Sequence, residues 1–174
     1  MIPPIISASS FYLGPIHLDH VDNTYVSWLK NPEVNKFLEV RHLAVTLDSQ
    51  KVFVANCNES TNTYLFGIFN NEVLIGTLKV GPVNSLYLTS DIGIMIGDSA
   101  FWGKGIASES IGLIVDWIKQ DLKLRKVTAG AYATNIGSIK SFLANNFARE
   151  GLLVNQVLSN GISDDIVLLG KVLG

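Results

Sequence analysis

Residues 105–122 set Ala107, Ile111, Ile114, Val115, Ile118 and Leu122 along one broad stripe, the spacing of a helix that must bury a whole face. Strand-like segments stand on both sides of it. Asp91 to Ile96 alternates, with Ile92, Ile94 and Ile96 on one face and Asp91, Gly93 and Met95 on the other, and Lys126 to Ala133 follows the helix. Strand, covering helix and strand in succession make a crossover, the connection that parallel neighbours need. A second crossover is expected downstream: Asn135 reads as the N-cap of a helix running to Asn146, ahead of strands around Leu152 to Leu158 and Ile166 to Leu173. Such a chain is committed to a sheet that is parallel in part, with helices lying on it.

The first third reads differently. Phe11 to Ile16 is a short apolar run fit for an opening strand, and from Val21 the residues Tyr25, Trp28 and Leu29 recur at helical spacing up to Lys30. Asn31-Pro32-Glu33 supplies a cap, a first-turn proline and a first-turn acid for a second helix to Leu38. Thr46 caps a third, to about Ala55, and the polar run Asn56 to Asn62 reads as loop. Tyr64 to Phe69, an Asn70-Asn71 turn and Val73 to Val80 form a hairpin closed by Gly81-Pro82. The order is strand, two or three helices, three strands, helix, strand, helix, two strands: an α+β or α/β domain with a mixed sheet. The apolar last strand, Ile166 to Leu173, is expected to offer an edge on which a homodimer could pair.

At 174 residues the chain has room for one core, so residues 1–174 read as a single domain. Apolar residues at 48% against 16% charged supply that core, and a formal charge of −2 with no dense Lys/Arg run argues against a nucleic-acid surface. The one cysteine, Cys57, has no internal partner, and no Cys/His cluster has metal spacing. Metal is therefore not expected, and a reducing cytoplasm fits. Met1-Ile2-Pro3-Pro4 does not read as a secretion signal, and Asp116 interrupts the apolar run Ile111 to Ile118, so no membrane partner is expected.

The chemistry points to residues 101–107. Gly103 and Gly105 remove side chains where the backbone turns into the long helix, leaving several N–H groups free to face one spot. Bare amides at a helix N-terminus make a phosphate site. Alone, the pattern reads first as a turn that only joins strand to helix. Two phosphate motifs fail here: Gly103-Lys104-Gly105 lacks the Ser/Thr of a P-loop, and Ser108 stands where a dinucleotide fingerprint needs its third glycine.

Trp102-Gly103-Lys104-Gly105-Ile106-Ala107 resembles the Q/R-x-x-G-x-G/A pyrophosphate loop of GNAT-superfamily N-acetyltransferases, with Gly105 and Ala107 matching and Trp102 in place of Gln or Arg. The Trp-Gly-Lys-Gly variant resembles the RimJ/RimL branch. So do Asp91-Ile92-Gly93-Ile94, Thr134-Asn135-Ile136-Gly137-Ser138, Phe147-Ala148-Arg149-Glu150-Gly151 and the early helices from Trp28 to Glu39. The resemblance implies a three-layer α/β fold: a mixed sheet of about six or seven strands, helices on both faces, and splayed fourth and fifth strands. It implies acetyl-CoA as cofactor, gripped by Trp102, Gly103, Lys104, Gly105, Ile106 and Ala107, with Ile94, Met95 and Ile96 polarising the thioester and Asn135 and Ser138 on the pantetheine arm.

An attacking amine must lose a proton, and Asp91 stands where relatives often carry an acid; Glu39 and His42 compete, imidazole being the side-chain type that titrates near neutrality. Phe142 occupies the place of the family's proton-donating tyrosine, which leaves Tyr132, Ser138 or water to serve the thiolate. Trp28, Glu39, Arg41 and His42 are the substrate-side candidates, with Trp28 read first as a core residue. Asn31 to Arg41 resembles relatives that acetylate nucleotide-linked amino sugars, where Arg41 would pair with a diphosphate. The expected activity is acetyl transfer to a small primary amine. The alternatives are acetylation of a protein N-terminus and a non-catalytic acyl-CoA sensor.

Overall fold

The computed structural model describes residues 2–159 and 161–174. One mixed sheet organises it, built from β1 (Ile6–Ser7), β2 (Tyr12–Pro15), β3 (Tyr64–Asn70), β4 (Val73–Val80), β5 (Thr89–Ile96), β6 (Lys126–Tyr132), β7 (Ala148–Ser159) and β8 (Ile162–Val172). Their spatial order is β1-β2-β3-β4-β5-β6-β8-β7. The eight strands exceed the six or seven expected by the two-residue β1, too short to carry a periodic signal.

Helices cover both faces. On one lies α4 (Ile106–Trp117), with α5 (Ile136–Leu143) beside it. Ile111 and Ile114 of α4, and Ile118 in the π-helical turn Ile118–Leu122 that ends the helix expected to run to Leu122, are fully buried against Phe66, Ile75, Leu78 and Val127, and each such side chain contributes about 2 kcal/mol of transfer free energy. The opposite face carries α1 (Asn23–Lys30), α2 (Pro32–Asn35) and α3 (Leu47–Glu59), which bury Trp28, Leu29 and Val54 with Leu65. Alternation along β5 divides the two cores as expected: Ile92, Ile94 and Ile96 face α4, and Met95 faces α1 and α3.

Several local expectations shift. The hairpin turn lies at Asn71 and Glu72, both at positive φ (46° and 65°), one residue later than the Asn-Asn pair suggests, the two-residue loop that matches strand twist. Residues 56–59, read as loop, continue α3, because Val54 and Cys57 bury on one helical face and that packing outweighs the weak helix preference of Asn. The second helix stops at Asn35 rather than Leu38, and a 3₁₀ turn over Glu39–His42 follows. Of the two crossovers, only β5-α4-β6 joins paired parallel strands; β8 inserts between β6 and β7, antiparallel to both. The last strand is therefore interior, not the edge expected for a homodimer; β7 holds that edge. Among the described residues no helix is long and apolar enough to cross a membrane.

Candidate active site

Two neighbouring strands part in the middle of the sheet. β5 and β6 pair only at Thr89 with Lys126, Ser90 with Val127 and Asp91 with Thr128, while β6 goes on pairing with β8 as far as Tyr132. On the other side, the Gly81 N–H donates to the Asp91 carbonyl and the Gly97 N–H to the Ile75 carbonyl, each at 2.9 Å. In an antiparallel ladder every second residue faces that partner, so the main chains of Gly93 and Met95 face β4. Those of Ile94 and Ile96 face the opening, where β6 pairs with neither. A free strand edge with donors and acceptors lines the cleft.

The loop after β5 closes one end. Trp102 is half exposed, and its indole N–H donates to the Ile96 carbonyl at 2.8 Å, latching the loop to the free strand end. Gly103 and Gly105 sit at φ +72° and +80°, where a Cβ is strained. Gly105 is the α4 N-cap and provides no side chain to the first turn. The first helical bond runs from Glu109 N–H to the Gly105 carbonyl, so the N–H groups of Ile106, Ala107 and Ser108 carry the uncompensated positive end of the helix. Lys104 turns outward, its Nζ 5.0 Å from the centre of the Phe101 ring.

From that helix end a cavity of about 680 Å³ runs to Ile94 and Ile96. Trp102, Gly103, Gly105, Ile106 and Ala107 line it, with Asn135 and Ser138 from the start of α5. Asn135 Oδ1 accepts from the Ser138 N–H at 3.2 Å, a helix cap that leaves its amide N–H₂ to donate elsewhere. Phe142, read as the occupant of a proton donor's place, faces the core instead, 2% exposed and edge-on to Phe147 with ring centres 5.0 Å apart. The α5 face toward the cavity is Gly137, Ser138, Lys140 and Ser141.

A second cavity, about 510 Å³, opens on the other face of the sheet. It shares Leu38, Ile94 and Met95 with the first, so the two meet where the strands part. Glu39 lines it; Trp28, Arg41 and His42 do not. Trp28 is a core residue, 8% exposed and pressed against Gly97, where any Cβ would come within 2.2 Å of its ring. Arg41 is partly engaged: its guanidinium stacks 5.0 Å from the Tyr132 ring centre and its Nη2 donates to the Tyr132 hydroxyl and the Leu158 carbonyl, each at 3.0 Å, while its Nη1 is buried without a hydrogen-bond partner among the described residues. Its Nε donates to the exposed His42 ring at 3.1 Å. Tyr132 lines neither cavity; its hydroxyl donates to Glu39 at 2.5 Å, and burial first, then that carboxylate, push its pKa up to about 12. Asp91 also lines neither, sits at the last paired residue before the cleft, and accepts from the Thr128 hydroxyl.

Residues 11–147 match the family described as the acetyltransferase (GNAT) domain. The chain belongs to the GNAT acetyltransferase family. It is 34% identical over 110 residues to the probable N-acetyltransferase YjcK of Bacillus subtilis (strain 168), a match spanning 62% of this chain and 60% of that protein. It is 28% identical over 109 residues to the ribosomal-protein-serine acetyltransferase of Escherichia coli (strain K12), spanning 63% and 60% respectively. The match thus covers about three fifths of the length of either relative. In fold it is similar to spermidine N-acetyltransferase from Vibrio cholerae, solved with CoA and spermine, at a TM-score of 0.85 and 18% identity over 95% of this chain and 97% of that one.

GNAT enzymes take their acetyl group from acetyl-CoA, and the residues present fit that donor. Its pyrophosphate calls for bare amides and no Cβ, and nothing lies within 4 Å of a Cβ built on Gly103 or Gly105. Its amide-bearing arm calls for a free strand edge, which Ile94 and Ile96 provide. One residue that shapes this GNAT cleft carries no sequence motif: Asn145 Nδ2 donates to the carbonyls of Ser108 and Ser141, each at 2.8 Å, and to the Ser108 hydroxyl at 3.1 Å, tying α4 to α5 behind two residues of the cavity wall. Gly112 leaves room for it, since a Cβ there would meet Asn145 Oδ1 at 2.8 Å.

Proposed function

We propose that the chain is an acetyl-CoA-dependent N-acetyltransferase acting on a small primary amine. The observation that carries this is the meeting of two cavities at Ile94 and Met95, one ending on the α4 amides and the other on Glu39. When bound, acetyl-CoA supplies a thioester that an amine attacks directly. The Ile94 and Ile96 amides would hold and polarise it, and aligned donors of this kind each contribute a few kcal/mol to the transition state.

Glu39, rather than Asp91, is the acid proposed to take the amine's proton, because it lines the acceptor side and Asp91 does not. Asp91 lies three residues from Ile94, roughly 10 Å along an extended strand. Of the hydroxyls weighed for the departing thiolate, Ser138 lines the cofactor cavity, while Tyr132 is bound to Glu39 and Arg41. A thiol with a pKa of roughly 8.5 leaves readily enough that this help is secondary.

A nucleotide-linked amino sugar loses support, since Arg41 lines neither cavity and the acceptor wall is largely apolar. Acetylation of a protein N-terminus stays as the second reading, favoured by the exposed Leu43 and Phe53 at the rim and by the likeness to a ribosomal-protein-serine acetyltransferase. The test is CoA thiol release with acetyl-CoA against amino sugars, polyamines, amino acids and short peptides. Stabilisation by CoA without thiol release from any of them would mark a sensor instead.

A further inference from the structure

The acceptor-side cavity has one feature that neither thioester polarisation nor proton removal uses. A row of cross-strand neighbours, Leu65 on β3, Lys79 on β4 and Gly93 on β5, forms its floor. Nothing lies within 4 Å of a Cβ built on Gly93, so the floor beside the Lys79 stem is open. Above it stand Leu29, Gln50 and Phe53, and Gln50 is 8% exposed. The cavity's ionisable side chains of opposite charge are Lys79 and Glu39. They do not neutralise each other: the ion pairs within 4.0 Å among the described residues are Lys36 with Glu33 and Lys126 with Glu150.

Lys79 is half-buried, and a cation with no carboxylate within 4.0 Å beside apolar walls favours an anionic ligand group, because the low-dielectric surroundings strengthen their attraction. An amine near Glu39 and an anion near Lys79 together describe a zwitterion. We infer that the acceptor carries a carboxylate beside its amine on an apolar body, as an apolar amino acid does, and that Lys79 is the specificity-determining residue that reads the carboxylate. This rests on the acetyltransferase reading above and names its substrate class. A polyamine would set a second cation against Lys79. Gln50, with its amide N–H₂, would offer the carboxylate a neutral donor on the same wall.

Thiol release is measured for leucine and phenylalanine, for their decarboxylated amines, and for their amides. The acids are expected to exceed the matched amines at least ten-fold in kcat/KM. Lys79→Met, close in shape to the lysine stem, should lower kcat/KM for the acids about ten-fold through KM and bring the acid-to-amine ratio near one. Lys79→Glu should turn the preference toward diamines. Binding of the acids to the CoA-loaded protein, followed by calorimetry, should weaken in parallel, and a melting curve checks that each variant is folded. Turnover of amines and acids alike, or an acid-to-amine ratio untouched by Lys79→Met, overturns this inference and leaves the acetyltransferase reading standing. No thiol release from any amine, with CoA still stabilising the protein, overturns both.

Discussion

On the proposed reading, cofactor grip turns most directly on Gly105, for two separable reasons: its φ of +80° and the open space over its Cα. Gly105→Ala should cost about 1 kcal/mol of stability from the left-handed conformation alone and weaken CoA. Gly105→Glu adds bulk and negative charge where phosphate must lie, and calorimetry should find CoA binding lost. At the acceptor, Glu39→Gln is expected to lower kcat by about 100-fold or more, the scale of a general base, with CoA affinity kept. Tyr132 has a pH signature. Burial and Glu39 raise its pKa from 10.0 to about 12, so its proton is held more tightly in the folded chain. Stability from this source is intact below pH 10 and is lost as pH climbs toward 12. Burial raises Tyr25 to about 12 as well, so denaturant titrations of Tyr132→Phe should keep only part of the alkaline slope of the parent.

At the scale of elements, much of the architecture is legible in the sequence, and the reasons are local. The α4 stripe, the alternation of β5 and the caps at Thr46 and Asn135 are short-range patterns, and all four appear as read. What escaped depends on tertiary partners. α3 outruns its polar sequence because Cys57 is buried; β8 lies inside the sheet because β7 turns back on it, a pairing that no periodicity encodes. In the candidate site, the left-handed turn at Gly103 and Gly105 was legible from backbone logic, and Glu39 stood among the bases the sequence offered. The contacts that join Glu39 and Arg41 to Tyr132 and Asn145 to Ser108 were not, since those partners lie 93, 91 and 37 residues away in sequence. Asn145→Ala should loosen the wall between α4 and α5 by removing three hydrogen bonds, costing about 1–3 kcal/mol of stability and raising the CoA Kd, both readable from melts with and without CoA.

Over the whole molecule, the two cavities meet at Leu38, Ile94 and Met95, where β5 and β6 part. A ligand seated there binds the folded chain alone, so CoA at one hundred times its Kd should add about 2.7 kcal/mol to unfolding free energy. Hydrogen exchange should locate that gain at the amides of Ile94 and Ile96. The parting itself has a mechanical meaning. Three residue pairs join the leaf made of β1 to β5 to the leaf made of β6, β8 and β7, and all three lie at one end. The sheet is thus shaped like a half-opened clothes peg, pinned at Thr89 to Asp91, and whatever enters between its jaws completes the missing hydrogen-bond ladder and locks the two leaves at a fixed angle.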